Sequence, residues 1–128
     1  MATRFEIQKQ FPIGPSKLYD AWLDSETHSA MTGGEAVCST EVNGAFSAWD
    51  GYISGTNFSL DHGKEIVQKW RTSEFNSEDP DSLLTLKFED NEGGCLLTLI
   101  HEEIPDGQPD YKQGWEDHYF IPMRDCFG

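Results

Sequence analysis

Residues 110–127, at the C-terminal end of the chain, carry an aromatic stripe that must be covered by the rest of the molecule. Tyr111, Trp115, His118, Tyr119, Pro122, Met123 and Cys126 recur three and four residues apart, which places them on one face of a helix. Lys112, Glu116, Asp117, Arg124 and Asp125 fall mostly on the other side. A helix of this length runs roughly 27 Å at about 1.5 Å per residue, enough to cross a small sheet. Inside it Pro122 removes one hydrogen bond and clashes with the carbonyl four residues back, so a kink is expected near His118. The stripe serves either as plain core packing or as one wall of a ligand cavity.

The remainder of the chain supplies a sheet for the helix to cross. Phe5, Ile7 and Phe11 share one face of an alternating stretch over residues 4–11, a half-buried strand that Pro12 and Pro15 end. Gly14-Pro15 suits a helix start, and Leu18, Tyr19 and Trp22 give that short helix its apolar face. Asp24 or Ser25 caps a second short helix reaching about Met31, and Gly33-Gly34 stops it. The periodicity then changes to two. Strands are expected over 36–42, 45–49, 52–60, 65–72, 83–89 and 95–102, with hairpin signals at Asn43-Gly44 and Asp50-Gly51 and longer turns at 61–63 and 91–94. These form an antiparallel meander, with the N-terminal strand as a further member, curled around the final helix. The face turned to the helix holds Ile66, Gln68 and Trp70, then Leu84, Leu86 and Phe88, then Leu97, Leu99 and His101. Gln68 and His101 are polar residues on apolar faces, and burial requires them to be hydrogen-bonded, either to a neighbour or to a ligand.

Charge narrows the choice of partners. The 128 residues, a length that suits one domain, contain 23 acidic and nine basic side chains, a formal net charge of −14. Without a cluster of Lys and Arg, neither a nucleic acid nor an anionic membrane surface is an expected partner. Cys38, Cys95 and Cys126 make no C-x-x-C pair, so no disulfide framework or zinc knuckle is implied. The N-terminus lacks the apolar run of a signal peptide and no stretch approaches a membrane span, so no membrane insertion and a cytoplasmic location are expected.

Several stretches carry a family resemblance. They are Pro15-Ser-Lys-Leu-Tyr-Asp-Ala-Trp22, Gly44-Ala-Phe46, Ile53-Ser-Gly55, Ile66-Val-Gln-Lys-Trp-Arg71, Leu97-Thr-Leu99, Gln113-Gly-Trp115 and the ending Tyr119-Phe120…Phe127-Gly128. In this order they resemble the family named for the C-terminal domain of the activator of Hsp90 ATPase, within the START-like superfamily. The resemblance implies an α+β helix-grip fold: a curved antiparallel sheet of six to seven strands around a long C-terminal helix, with two short helices after the first strand. It also implies a cavity between that helix and the concave sheet. In eukaryotic co-chaperones of the family this domain follows an N-terminal domain that anchors to Hsp90, and the resemblance covers only the second. Related branches of the superfamily bind lipids or sterols, or cyclise polyketides.

From the residues, the expected ligand-binding set is Trp49, Gln68, Trp70, Phe88, Leu99, His101, Trp115, His118, Tyr119 and Met123, mainly apolar with a few polar groups. No catalytic or metal-binding set is expected. Ser54 does not sit in a nucleophile elbow, and His28, His62, His101 and His118 form no metal-binding cluster. The reading that follows is a non-enzymatic START-like domain binding a small hydrophobic ligand, with no cofactor, as a monomer or homodimer. The alternatives are a module that interacts with an Hsp90-type chaperone, and an acid–base enzyme of cyclase or isomerase type using His101 or His118 beside Tyr119. Arg71, on the strand face opposite Trp70, is expected to pair with an acidic neighbour.

Overall fold

The computed structural model describes residues 3–127. Strand β1 (Thr3–Phe11) is followed by helices α1 (Pro15–Leu23) and α2 (Ser25–Thr32). Five strands come next: β2 (Ala45–Ala48), β3 (Ile53–Asp61), β4 (Glu65–Thr72), β5 (Ser82–Asn91) and β6 (Gly94–Ile104). The C-terminal helix is built from α3 (Tyr111–Trp115), a π-helical turn (Glu116–Phe120) and α4 (Ile121–Phe127). One six-stranded antiparallel sheet has the order β1-β6-β5-β4-β3-β2. This is the helix-grip arrangement.

Local chemistry explains the boundaries. Pro15 stands in the first turn of α1. Asp24 caps α2 by accepting from the Thr27 N–H at 2.9 Å, and Gly33 closes it in the left-handed conformation with its N–H on Ser29 O. Glu92 and Gly93 both take positive φ between the paired Asn91 and Gly94, the twist-matched two-residue hairpin turn. Alternation along β4, β5 and β6 buries Ile66, Gln68, Trp70, Leu84, Leu86, Phe88, Leu97, Leu99 and His101, as their spacing predicts. Arg71, on the other face, holds Asp81 at 2.9 Å and donates to the carbonyls of Asp79 and Asn76, pinning the acidic loop before β5.

Two expectations are corrected. Residues 36–42 are not a strand, and only one bridge, Val37 to Ser47, joins them to the sheet. Side chains satisfy their backbone instead. Ala36 N–H donates to Ser29 Oγ, Cys38 N–H donates to Ser25 Oγ, and Asn57 Nδ2 donates to the carbonyls of Ser39 and Glu41. Gln68 Nε2 in turn donates to Asn57 Oδ1 at 2.9 Å, so this buried glutamine orders a loop through its neighbour. The sheet therefore has six strands.

The second correction concerns the phase of the C-terminal helix. The kink expected near His118 takes the form of the π turn, where Ile121 N–H reaches back five residues to Glu116 O. Pro122 has no N–H for the His118 carbonyl, and the wider turn accommodates this. A wider turn shifts the apolar face by about one residue. His118 and Cys126 are consequently exposed, Phe120 is buried, and Phe127 packs against the core.

Candidate functional site

Between the sheet and the middle of the C-terminal helix, side chains fill the space: Leu84, Leu86, Leu97, Leu99 and Met123 have no exposed surface. A groove of about 620 Å³ opens instead at one end, where β3 and β4 meet α3 and the π turn. This volume is in the range of small-molecule sites. Trp70 comes from β4, Ile53 from the start of β3, and Trp49 and Tyr52 from the turn that precedes it. Tyr111, Gly114, Trp115, Asp117, His118 and Tyr119 come from the helix, with Pro109 and Asp110 just ahead of it and Gln113 within it.

Four of the aromatic rings, Tyr111, Trp70, Trp115 and Tyr119, form a connected row. Trp70 meets Tyr111 edge to face with centroids 5.2 Å apart, and its ring lies 5.8 Å from Trp115. Trp115 is 4.6 Å from Tyr119, and Trp49 stands against His118 at 5.4 Å. Trp49 adopts a positive φ of 52°, a rare conformation for a bulky residue, followed by Asp50 and Gly51 also at positive φ. Its ring fills the space beside Gly34, where a Cβ would come within 2.5 Å of it. The buried Trp49 Nε1–H has no hydrogen-bond partner among the described residues.

Hydrogen bonds fix the polar groups behind the wall. Tyr111 O–H donates to Gln108 Oε1 at 2.8 Å, so Thr72 Oγ1 must donate to the Tyr111 oxygen at 2.7 Å. Tyr52 O–H donates to Glu74. His28 Nδ1 lies 2.8 Å from Trp22 O and therefore carries the proton, which leaves Nε2 to accept from Tyr119 O–H at 2.9 Å. Burial holds the His28 imidazole below its usual range and pushes the Tyr119 hydroxyl up. His101 is enclosed completely: Nδ1 accepts from Trp115 Nε1–H at 3.1 Å, and Nε2–H donates to Ser82 Oγ at 2.8 Å. Burial depresses its pKa to about 3.

Of the residues expected at a ligand site, the groove collects Trp49, Trp70, Trp115, His118 and Tyr119. Gln68, Phe88, Leu99, His101 and Met123 are buried behind or beside it and do not line it. Strand alternation names the residues that face inward, and it does not separate those that pack from those that border open space. Tyr52, Tyr111, Asp110 and Asp117 are among the lining residues the expected set omits, with Ile53, Pro109, Gln113 and Gly114. Tyr111 was legible in the helix stripe, whereas Asp117 reaches the groove on the π turn, which regular helical spacing does not anticipate. His101 has both ring nitrogens engaged inside the core and does not line the groove. Among the described residues no group of three or more His, Cys, Asp or Glu side chains is placed to hold a metal ion, and no helix is long and apolar enough to cross a membrane.

Comparison with known proteins gives the fold a lineage. The family model for Activator of Hsp90 ATPase homolog 1-like protein matches residues 13–127. The chain belongs to this family. It is 29% identical over 126 residues to the human Activator of 90 kDa heat shock protein ATPase homolog 1, covering 98% of this chain and 37% of that protein. Against the corresponding Dictyostelium discoideum homolog it is 27% identical over 124 residues, covering 95% of this chain and 32% of that protein. This family member thus spans about a third of the length of these curated relatives. Its fold also matches the crystal structure of an HSP90 activator from Plasmodium falciparum, with a TM-score of 0.87, 26% identity, and 96% and 94% of the two chains covered.

Proposed function

We propose that this chain is a non-catalytic module that binds an Hsp90-type chaperone and alters its ATPase cycle. The observation that carries this reading is the end-to-end likeness to the Plasmodium HSP90 activator, at 26% identity over nearly the whole of both chains. The geometry agrees with a role that needs no chemistry. The buried histidines are tied to neighbouring groups, and Tyr119 is committed to His28. A cytoplasmic location goes with this role. The test mixes the purified protein with the Hsp90 of its own source organism and measures both binding and ATP turnover. Binding at tens of micromolar or tighter, with a change in turnover, is the expected result. Absence of both at that concentration removes the reading.

The groove supports a second function compatible with the first, the binding of a small, largely apolar molecule. Its favouring observation is about 620 Å³ of open space walled by Trp49, Tyr52, Trp70, Tyr111, Trp115 and Tyr119. Mass spectrometry of small molecules released from gently purified protein is expected to find one compound at near-stoichiometric amount. If no compound is retained, and tryptophan fluorescence stays unmoved by a panel of apolar compounds, this second function is lost and the chaperone reading stands.

A further inference from the structure

We propose that the groove selects a cationic ligand: a small molecule whose head is an alkylated ammonium group. The inference rests on the ligand-binding reading of the groove and adds the charge of the molecule it takes. The formally charged side chains lining the groove, leaving aside the titratable His118, are Asp110 and Asp117, and neither Lys nor Arg lines it. Each of these two carboxylates spends one oxygen on Gln113. Asp110 Oδ1 accepts the Gln113 backbone N–H at 3.2 Å, and Asp117 Oδ1 accepts Gln113 Nε2 at 3.0 Å. Among the described residues the second oxygen of each has no hydrogen-bond partner. One glutamine thus holds two carboxylates on the same side of the groove, each with an oxygen to spare.

The walls favour the same sign. An aromatic ring presents a negative face, and alkylated ammonium groups are held on such faces, most strongly by Trp. The accessible rings are those of Tyr52, 37% exposed, and Trp49, partly exposed, while Trp70, Tyr111 and Trp115 pack mainly on one another and show the groove little more than their borders. An anion entering here meets two carboxylates and no lysine or arginine in the lining. A neutral molecule gains from burial alone. An alkylated ammonium gains from burial of its methyl groups, from the ring faces and from the carboxylates together. The chain's formal charge of −14 adds a long-range attraction for cations and raises their local concentration.

Three soluble probes of nearly equal shape separate these terms: choline, 3,3-dimethylbutan-1-ol and 3,3-dimethylbutanoate. Binding is read from the indole N–H resonances of Trp49, Trp70 and Trp115 in a titration of the intact chain. Choline is expected to bind about tenfold more tightly than the alcohol, the factor a partly desolvated cation–π contact supplies. The acid anion is expected to leave the three signals in place. The double variant Asp110→Asn, Asp117→Asn retains the helix cap, since Asn caps as well as Asp. It is expected to lose most of the choline preference while its alcohol binding and melting temperature stay unchanged, and added salt weakens choline binding to the native chain. Equal affinity for choline and the alcohol overturns the cation preference and leaves the groove a site for neutral ligands. Preference for the anion overturns it as well. Silence of all three indoles with every probe also overturns it, and extraction from the purified protein then tests the ligand reading separately.

Discussion

Replacing His101 with glutamine is expected to lower stability by about 2–4 kcal/mol at neutral pH, and that deficit is expected to shrink as the solution is acidified. The native imidazole is fully enclosed, with Trp70 4.5 Å and Phe5 5.6 Å from its ring centre. Because Trp115 donates to Nδ1, the neutral ring must carry its proton on Nε2, which donates to Ser82 Oγ, and the Ser82 O–H donates in turn to Trp70 O. A second proton would have to sit on Nδ1, facing an N–H donor in an apolar surrounding. This is why the folded pKa falls to about 3, against 6.5 for an unperturbed imidazole. Between those two values the unfolded chain binds more protons than the folded one, so stability falls as pH falls through that window. The slope from this group is about 1.4 kcal/mol per pH unit. It is present in the native chain and absent from His101→Gln. Because His28 and the carboxylates are common to both proteins, they largely cancel in the difference. Denaturant unfolding of both at several pH values between about 7 and about 4 checks this. A stability difference that does not change with pH would contradict the neutral, two-partner His101 described above.

Gly55→Ala is expected to cost about 3 kcal/mol, the upper end of the usual penalty for overpacking, and to lower the melting temperature by about 10 °C. Gly55 lies opposite Trp70 in the β3–β4 pair. A Cβ there would be 1.8 Å from the Lys69 carbonyl oxygen and 2.8 Å from Phe46 Cε1. The first of these is backbone and cannot rotate away, so the strands must part at the position that carries Trp70 into the groove wall. Glycine in a strand interior often marks such a close approach. Gly114→Ala is the control. A Cβ there meets nothing within 4 Å, and its replacement inside a helix is expected to be neutral or slightly stabilising. Equal melting temperatures for Gly55→Ala and the native chain would refute the close β3–β4 approach. Thermal unfolding of the three proteins, with indole resonances as a report on the groove, reads both outcomes.

Local rules set much of this architecture, and sequence alone was enough wherever the determining interaction spans a few residues. Alternation at Ile66, Gln68 and Trp70 sets which side chains leave the same face of a strand, whatever the strand pairs with. Asp24, Gly33 and Pro15 set helix ends through hydrogen bonds and dihedral angles within one turn. Residues 36–42 have a strand-like pattern too, but whether they pair depends on distant side chains. Ser25, Ser29 and Asn57 satisfy their backbone first. The same division runs through the groove. That Trp70, Trp115 and Tyr119 are buried follows from periodicity, and the family resemblance follows from the order of short motifs. That His118 and Asp117 border open space, while Phe120 enters the core, follows from one extra residue in a helical turn. Pro122 signals an irregularity near His118 in the sequence. Its size, and so the phase of every side chain around it, was decided by the packing of that helix against the sheet and α2, because only tertiary contacts compensate a hydrogen bond left open along the chain.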